Sequence, residues 1–178
     1  MAQTATIYNL SIELSDVDRG VYENISLRIA RHPSETAEYM IVRVLAYCLE
    51  FQEGISLTEG VASGDEPAIL VRDLTGKISA WIEVGLPDAS RLHRGNKLSG
   101  RAVVYTHRLR QLLNQLDGKS IHKPETVRIF AFDSDFVEEV SVLIDRRSSI
   151  GLSITEQQIY LTIDGRDFTT AITEHRPG

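Results

Sequence analysis

The chain has one cysteine, few aromatics (7%), and no apolar run near the ~20 residues that a membrane-spanning helix needs. Lone Cys48 has no partner for an internal disulfide, and its place in an apolar helical pattern reads as a small buried residue. The first residues, Met1 to Ile7, carry neither a basic stretch nor a continuous apolar one. No secretory signal is therefore read, and the expected compartment is the cytoplasm. Also missing are a Gly-rich phosphate loop, a Gly-x-Ser-x-Gly elbow, and Ser, His and Asp at a recognisable spacing. His32, His93 and His107 have no second donor at a zinc-ligand spacing. These absences argue against phosphate-loop nucleotide hydrolases, serine hydrolases of the elbow type and zinc hydrolases. Positive net charge is missing too. At −6, the chain is a poor candidate for nucleic-acid binding spread over its whole surface.

What is present is ordinary for a globular protein: 178 residues, 42% hydrophobic and 25% charged. That length suits a single compact domain over residues 1–178 with a well-buried core. The charge is unevenly distributed, however. Residues 91–128 hold nine basic side chains (Arg91, Arg94, Lys97, Arg101, Arg108, Arg110, Lys119, Lys123 and Arg128) against two acidic ones, between flanks that are both acidic. Such a block makes a local phosphate-binding face, or it pairs with the acidic flanks in the fold. Only Tyr105 interrupts it with an aromatic ring, which gives weak support to a stacking platform for single strands.

Residues 3–14 and 22–31 alternate apolar and polar side chains around the turn formers of Ser15 to Gly20, and so predict an N-terminal antiparallel hairpin. Pro33 blocks strand continuation. Ser34 then caps a helix predicted over about 34–51, with Glu35 and Glu38 in its early turns. A polar loop over 53–66 leads to strands at 68–71 and 78–84, whose apolar density suits a central sheet. Two strand, helix, strand crossovers follow, through helices at about 88–97 and 109–116, with strands at 102–106 and 127–132. A helix over about 134–146, strands near 150–155 and 158–163, and a last strand around 167–174 complete the chain. This order predicts an α+β fold, a central mixed sheet flanked by helices, with a hairpin at one end and a β region at the other.

The stretch from Asp65 to Asp88 brings carboxylates to the ends of the strand pair. A divalent ion that activates water for phosphodiester cleavage takes hard oxygen ligands from neighbouring strands, and Asp65, Glu66 and Glu83 are of that type. Each also has a plain role. Asp65 and Glu66 suit a solvated loop, and Glu38 suits the start of a helix, where the dipole favours a carboxylate. Glu83 is harder to dismiss. Between Ile82 and Val84 an unpaired carboxylate is costly to bury, so it calls for a cation, a metal or solvent.

Several segments resemble the bacterial YaeQ family: Ala5-Thr6-Ile7-Tyr8, Asp18-Arg19-Gly20, Ala30 to Thr36, Glu38 with Met40 and Arg43, Leu45-Ala46-Tyr47, Asp65-Glu66-Pro67, and Trp81 to Gly85 with Pro87-Asp88. The likeness runs in order from residue 1 to about 107. It implies a variant of the restriction-endonuclease-like fold, the PD-(D/E)XK superfamily. Carried residue by residue, it implies that Glu38 matches the superfamily's first-helix glutamate and Glu83 its central-strand carboxylate. The family's usual third acidic residue is Ala68 here, and the superfamily's lysine two places after the strand carboxylate is Gly85.

Three functional readings follow. In the first, the metal site is degenerate and the protein is a scaffold for nucleic acid or a protein partner, with phosphate contacts from Arg91, Arg94, Lys97 and Arg101 beside Glu38 and Glu83. In the second, Glu38, Glu83 and Asp65 or Glu66 hold Mg2+ for phosphodiester cleavage, while Arg94 or Lys97 stabilises transition-state charge. In the third, the basic block pairs internally or docks an acidic protein, with no nucleic-acid role.

Overall fold

The computed structural model describes residues 4–59 and 65–177. In chain order its elements are β1 (Thr6–Asp16), β2 (Val21–Arg31), α1 (Ala37–Leu49), β3 (Ile55–Leu57), β4 (Ile69–Arg72) and β5 (Ile78–Val84). Then come α2 (Ala89–Ser99), β6 (Ala102–Thr106), α3 (Leu109–Leu116), β7 (Arg128–Ala131) and α4 (Ser134–Leu143). The chain closes with β8 (Arg147–Thr155), β9 (Gln158–Ile163), β10 (Arg166–Ala171) and β11 (Thr173–His175). This is a mixed α+β fold. Among the described residues no helix is long and apolar enough to cross a membrane.

The strands form two sheets, the expected mixed sheet and a second that joins the predicted hairpin to the C-terminal β region, and the chain divides into two compact units. One unit comprises the chain up to Ile41 together with Phe132–Ile172, and holds a five-stranded sheet in the order β10-β9-β8-β1-β2. The hairpin is as predicted: β1 and β2 pair antiparallel from Thr6 opposite Arg31 to Asp16 opposite Val21. Alternation fixes that register. Tyr8, Leu10, Ile12 and Leu14 turn to the buried face with Ile25, Leu27 and Ile29, and a slip of one residue would expose them all. The C-terminal β region joins this hairpin through a parallel pairing of β1 with β8.

The second unit comprises Val42–Ala131 and the chain from Thr173, with its sheet in the order β11-β7-β6-β5-β4-β3. Strands β5, β6 and β7 run parallel, joined by the α2 and α3 crossovers, while β3 and β4 add antiparallel. Leu92 of α2 and Leu112 and Leu116 of α3 pack with Ala102, Val104, Val127 and Ile129 into one core cluster.

Helix α1 begins at Ala37, not at Ser34. Ser34 is taken up by His32, its hydroxyl 2.7 Å from the ring Nδ1, and the capping oxygen is that of Thr36, which accepts from Tyr39 N at 3.1 Å. Strand β3 lies in the stretch expected to be loop; its three residues are too few to show a period. The expected last strand is two, broken at Ile172, with β10 in the first sheet and β11 in the second.

Candidate functional site

The second unit gathers most of the predicted residues around the C-terminal end of β5. Alternation there places Trp81 and Glu83 on one face of the strand, and both are buried. Helix α2 follows, started by Asp88, whose carboxylate accepts from Arg91 N at 2.9 Å and Ser90 Oγ at 2.7 Å. Those bonds, the Ser90 hydroxyl foremost, hold the Asp88 carboxyl below its ordinary range. The helix lies close to the strand because residue 95 is glycine: a Cβ there would overlap the Trp81 indole.

This packing aims Arg91 at Glu83. Its Nε donates to Glu83 Oε2 at 2.6 Å, and its Nη2 donates to the Glu66 carbonyl at 2.5 Å and to Glu83 Oε1 at 3.3 Å. Glu83 is 4% exposed, and burial pushes its carboxyl up from the ordinary value, while the Arg91 hydrogen bond and charge pull it back. Trp81 assists the carboxylate to a smaller degree, although its Nε1 reaches no partner at hydrogen-bonding geometry. One turn further along α2, Arg94 donates to the Asp65 carbonyl, stands 3.6 Å from its carboxylate, and lies over the Trp81 ring at 5.4 Å. The acidic turn is thus held to α2 by two arginines.

Across the sheet from Glu83, one step beyond the paired Ile69 and Ile82, stands buried Ala68. After Glu83 the chain leaves β5 through Gly85 at a φ of 85°, where any side chain with a Cβ would be strained. Among the described residues no three His, Cys, Asp or Glu side chains converge on a point where an ion would sit. The donors that would hold Mg2+ therefore do not fit it as arranged, since the one buried carboxylate already faces a guanidinium.

Of the other predicted residues, Arg101 binds Glu50 as a fork, Nη1 to Oε1 at 2.6 Å and Nη2 to Oε2 at 3.2 Å, and Tyr105 Oη donates to Oε2 at 2.5 Å. Burial alone would depress the Arg101 guanidinium, but the Glu50 hydrogen bond and charge outweigh it, so it is held above its ordinary value. Lys97 is exposed on α2 and enters no ion pair among the described residues. Glu38 belongs to the first unit, where its Oε1 stands 3.5 Å from Ser141 Oγ.

Four arginines of the basic block are thus matched by carboxylates of the flanks: Arg91 by Glu83, Arg94 by Asp65, Arg101 by Glu50 and Arg128 by Glu174. Sequence reasoning had not singled out Glu50. A signal existed, because a carboxylate after the last turn of an apolar helix opposes the dipole unless a cation stands beside it.

The family model for the YaeQ protein matches residues 1–172. The chain belongs to the YaeQ family. The match runs on to residue 172, past about residue 107 where the resemblance read from the sequence ended. YaeQ of Escherichia coli K12 is 30% identical over 175 residues, 97% of each chain. Among solved structures, the crystal structure of YaeQ from Pseudomonas syringae is 32% identical, with a TM-score of 0.86 and 97% of each chain covered. That of YaeQ from Xanthomonas axonopodis pv. citri is 29% identical, also at 0.86, covering 98% of this chain and all of that one. The YaeQ fold is therefore common to all three.

Proposed function

We propose that this YaeQ-family chain is a non-hydrolytic scaffold of nuclease-like fold that contacts the phosphates of a nucleic acid, its metal site replaced from within by an arginine. The observation that carries the reading is the Arg91 guanidinium seated 2.6 Å from Glu83, where a nuclease would need an ion between converging oxygens. Ala68 opposite Glu83 and the left-handed Gly85 support it, since they stand where the resemblance implies a second carboxylate and a lysine. Arg91 also spans to the Glu66 carbonyl, so the cation that neutralises the carboxylate closes the acidic turn over it. The Mg2+-dependent phosphodiesterase reading requires Glu83 to be released from this clamp and two further oxygens to be brought in.

Affinity for phosphate would come from cations not spent on carboxylates. Lys97, Arg108, Arg110, Lys119 and Lys123 are exposed and without an ion pair among the described residues. Arg91 and Arg101 are turned to internal carboxylates and would contribute less than the sequence suggested. That same pairing favours a second reading, a protein-interaction domain in which the basic block is neutralised by the fold. Anisotropy of labelled duplex DNA, single-stranded DNA and RNA across a salt series separates the two. Binding whose logarithm falls linearly with log salt supports the scaffold, with a slope near −0.9 per duplex phosphate contacted. Absence of binding at low salt for all three probes overturns it in favour of a protein partner.

A further inference from the structure

Helix α2 has two flanks. Arg91 and Arg94 on one are engaged with carboxylates, whereas His93 and Lys97, four residues apart on the other, enter no ion pair among the described residues. Between His93 and Lys97 lies Asn96, 3% exposed and fully used. Its Nδ2 donates to the carbonyls of His122 and Lys123 at 2.6 and 3.2 Å and to Thr126 Oγ1 at 2.9 Å, and its Oδ1 accepts from Ala102 N at 3.2 Å. This clamp ties the segment before β7 to α2 and stands the His122 ring edge-on to His93, with centroids 6.0 Å apart at 77°. Next to it, Lys123 is held at a φ of 45° immediately before Pro124, a conformation unfavourable for a side chain with a Cβ and doubly so before proline. Strain kept in place by a buried, saturated asparagine is the pattern of a positioned group.

We infer that His93, Lys97, His122 and Lys123 form an anion site that takes a phosphate group. Two imidazoles offer directed N–H donors, one from each ring even when neutral, and the two ammonium groups supply charge. Glu125, exposed in the same segment, pairs with none of the four among the described residues. That the phosphate belongs to a nucleic-acid backbone rests on the function proposed above; the site itself does not.

The test uses the full-length protein with inorganic phosphate and with a short DNA duplex, and follows the ring signals of its five histidines by NMR. Phosphate is expected to shift His93 and His122 together while His32, His107 and His175 stay put. The exposed pair Lys97→Ala with Lys123→Ala should weaken phosphate roughly tenfold and lower the duplex salt slope by about 1.8, two contacts' worth, with unchanged thermal melting. His93 and His122 shifting no more than the other histidines overturns the site. An unchanged duplex slope in the lysine variant removes the site from the nucleic-acid path while leaving the scaffold standing. Phosphate binding that duplex DNA does not displace upholds the site and assigns it to a small phosphate compound.

Discussion

Removing Arg91 leaves the Glu83 carboxyl buried, 5% exposed at its side chain, and without its cation. Breaking a buried pair from one side costs about 3–5 kcal/mol, and because the Arg91 side chain is 28% exposed, water entering its place puts Arg91→Ala near ~3 kcal/mol at pH 7. For a chain of this length that lowers Tm by about 6–12 °C. The pH dependence has a fixed sign. Burial raises the Glu83 carboxyl and Arg91 counteracts it, so loss of Arg91 raises it further. A raised carboxyl costs stability only above its unfolded value, about pH 4.3, and the cost grows as pH climbs through the folded one. The deficit of Arg91→Ala against the parent must therefore shrink from pH 7 towards pH 4. Glu83→Gln removes the buried charge, so in that background the same substitution should cost about 1 kcal/mol or less, the remainder being the bond to the Glu66 carbonyl. Urea unfolding followed by the single tryptophan, Trp81, gives all four corners of the cycle. A loss under about 1 kcal/mol at pH 7, or one that does not diminish on acidification, would mean that Glu83 does not depend on Arg91 for its charge.

Gly95→Ala gains about 1 kcal/mol of helix propensity but drives a methyl into the Trp81 indole, so unfolding should show a net loss of about 2 kcal/mol with a shifted Trp81 emission. Tyr105→Phe strips the buried Glu50 carboxylate of its 2.5 Å donor and should cost about 1.5–3 kcal/mol by denaturant titration; a neutral result means that water replaces the hydroxyl. Asp88→Ala removes the cap of α2 at about 1 kcal/mol near neutral pH. Because Asp88 is held low when folded, its contribution is present above its unfolded value and fades as pH falls through the folded one, so variant and parent should converge in acid. Excess Mg2+ or Mn2+ should leave the Tm of the parent unmoved against EDTA, whereas a resident ion at 100 times its Kd would add about 2.7 kcal/mol and several degrees.

Local pattern carried the elements that bury one face. The Leu109, Leu112, Leu113 and Leu116 stripe placed α3, and the alternation of Tyr8 to Leu14 placed β1 and its hairpin. It did not carry which strands meet. The parallel pairing of Leu14 with Leu152 joins the predicted hairpin and the C-terminal β region into one sheet, and nothing in either strand's own sequence names its partner across so long a separation. The boundary at Ile172 was hidden for a related reason: β10 and β11 read as one strand because both are exposed and short. In the site, Glu83 was legible because a carboxylate in an apolar strand demands a partner, and Arg91 lies eight residues on. Glu50 and Arg101 meet across fifty-one residues, and the fold alone makes that pair. Ser34 was named as the cap from its type and place after Pro33, but its hydroxyl stands 2.7 Å from His32 Nδ1 and Thr36 supplies the capping oxygen instead.

The most direct test of an arginine standing in for a metal is a cleavage assay. Labelled duplex DNA, single-stranded DNA and RNA are incubated in Mg2+ and in Mn2+ with the parent protein and with Glu83→Gln. No product is expected from any strand with either protein, at concentrations where the parent retains nucleic acid at low salt. Product formed by the parent and lost in Glu83→Gln would contradict it, because Glu83 would then be serving an ion and not Arg91.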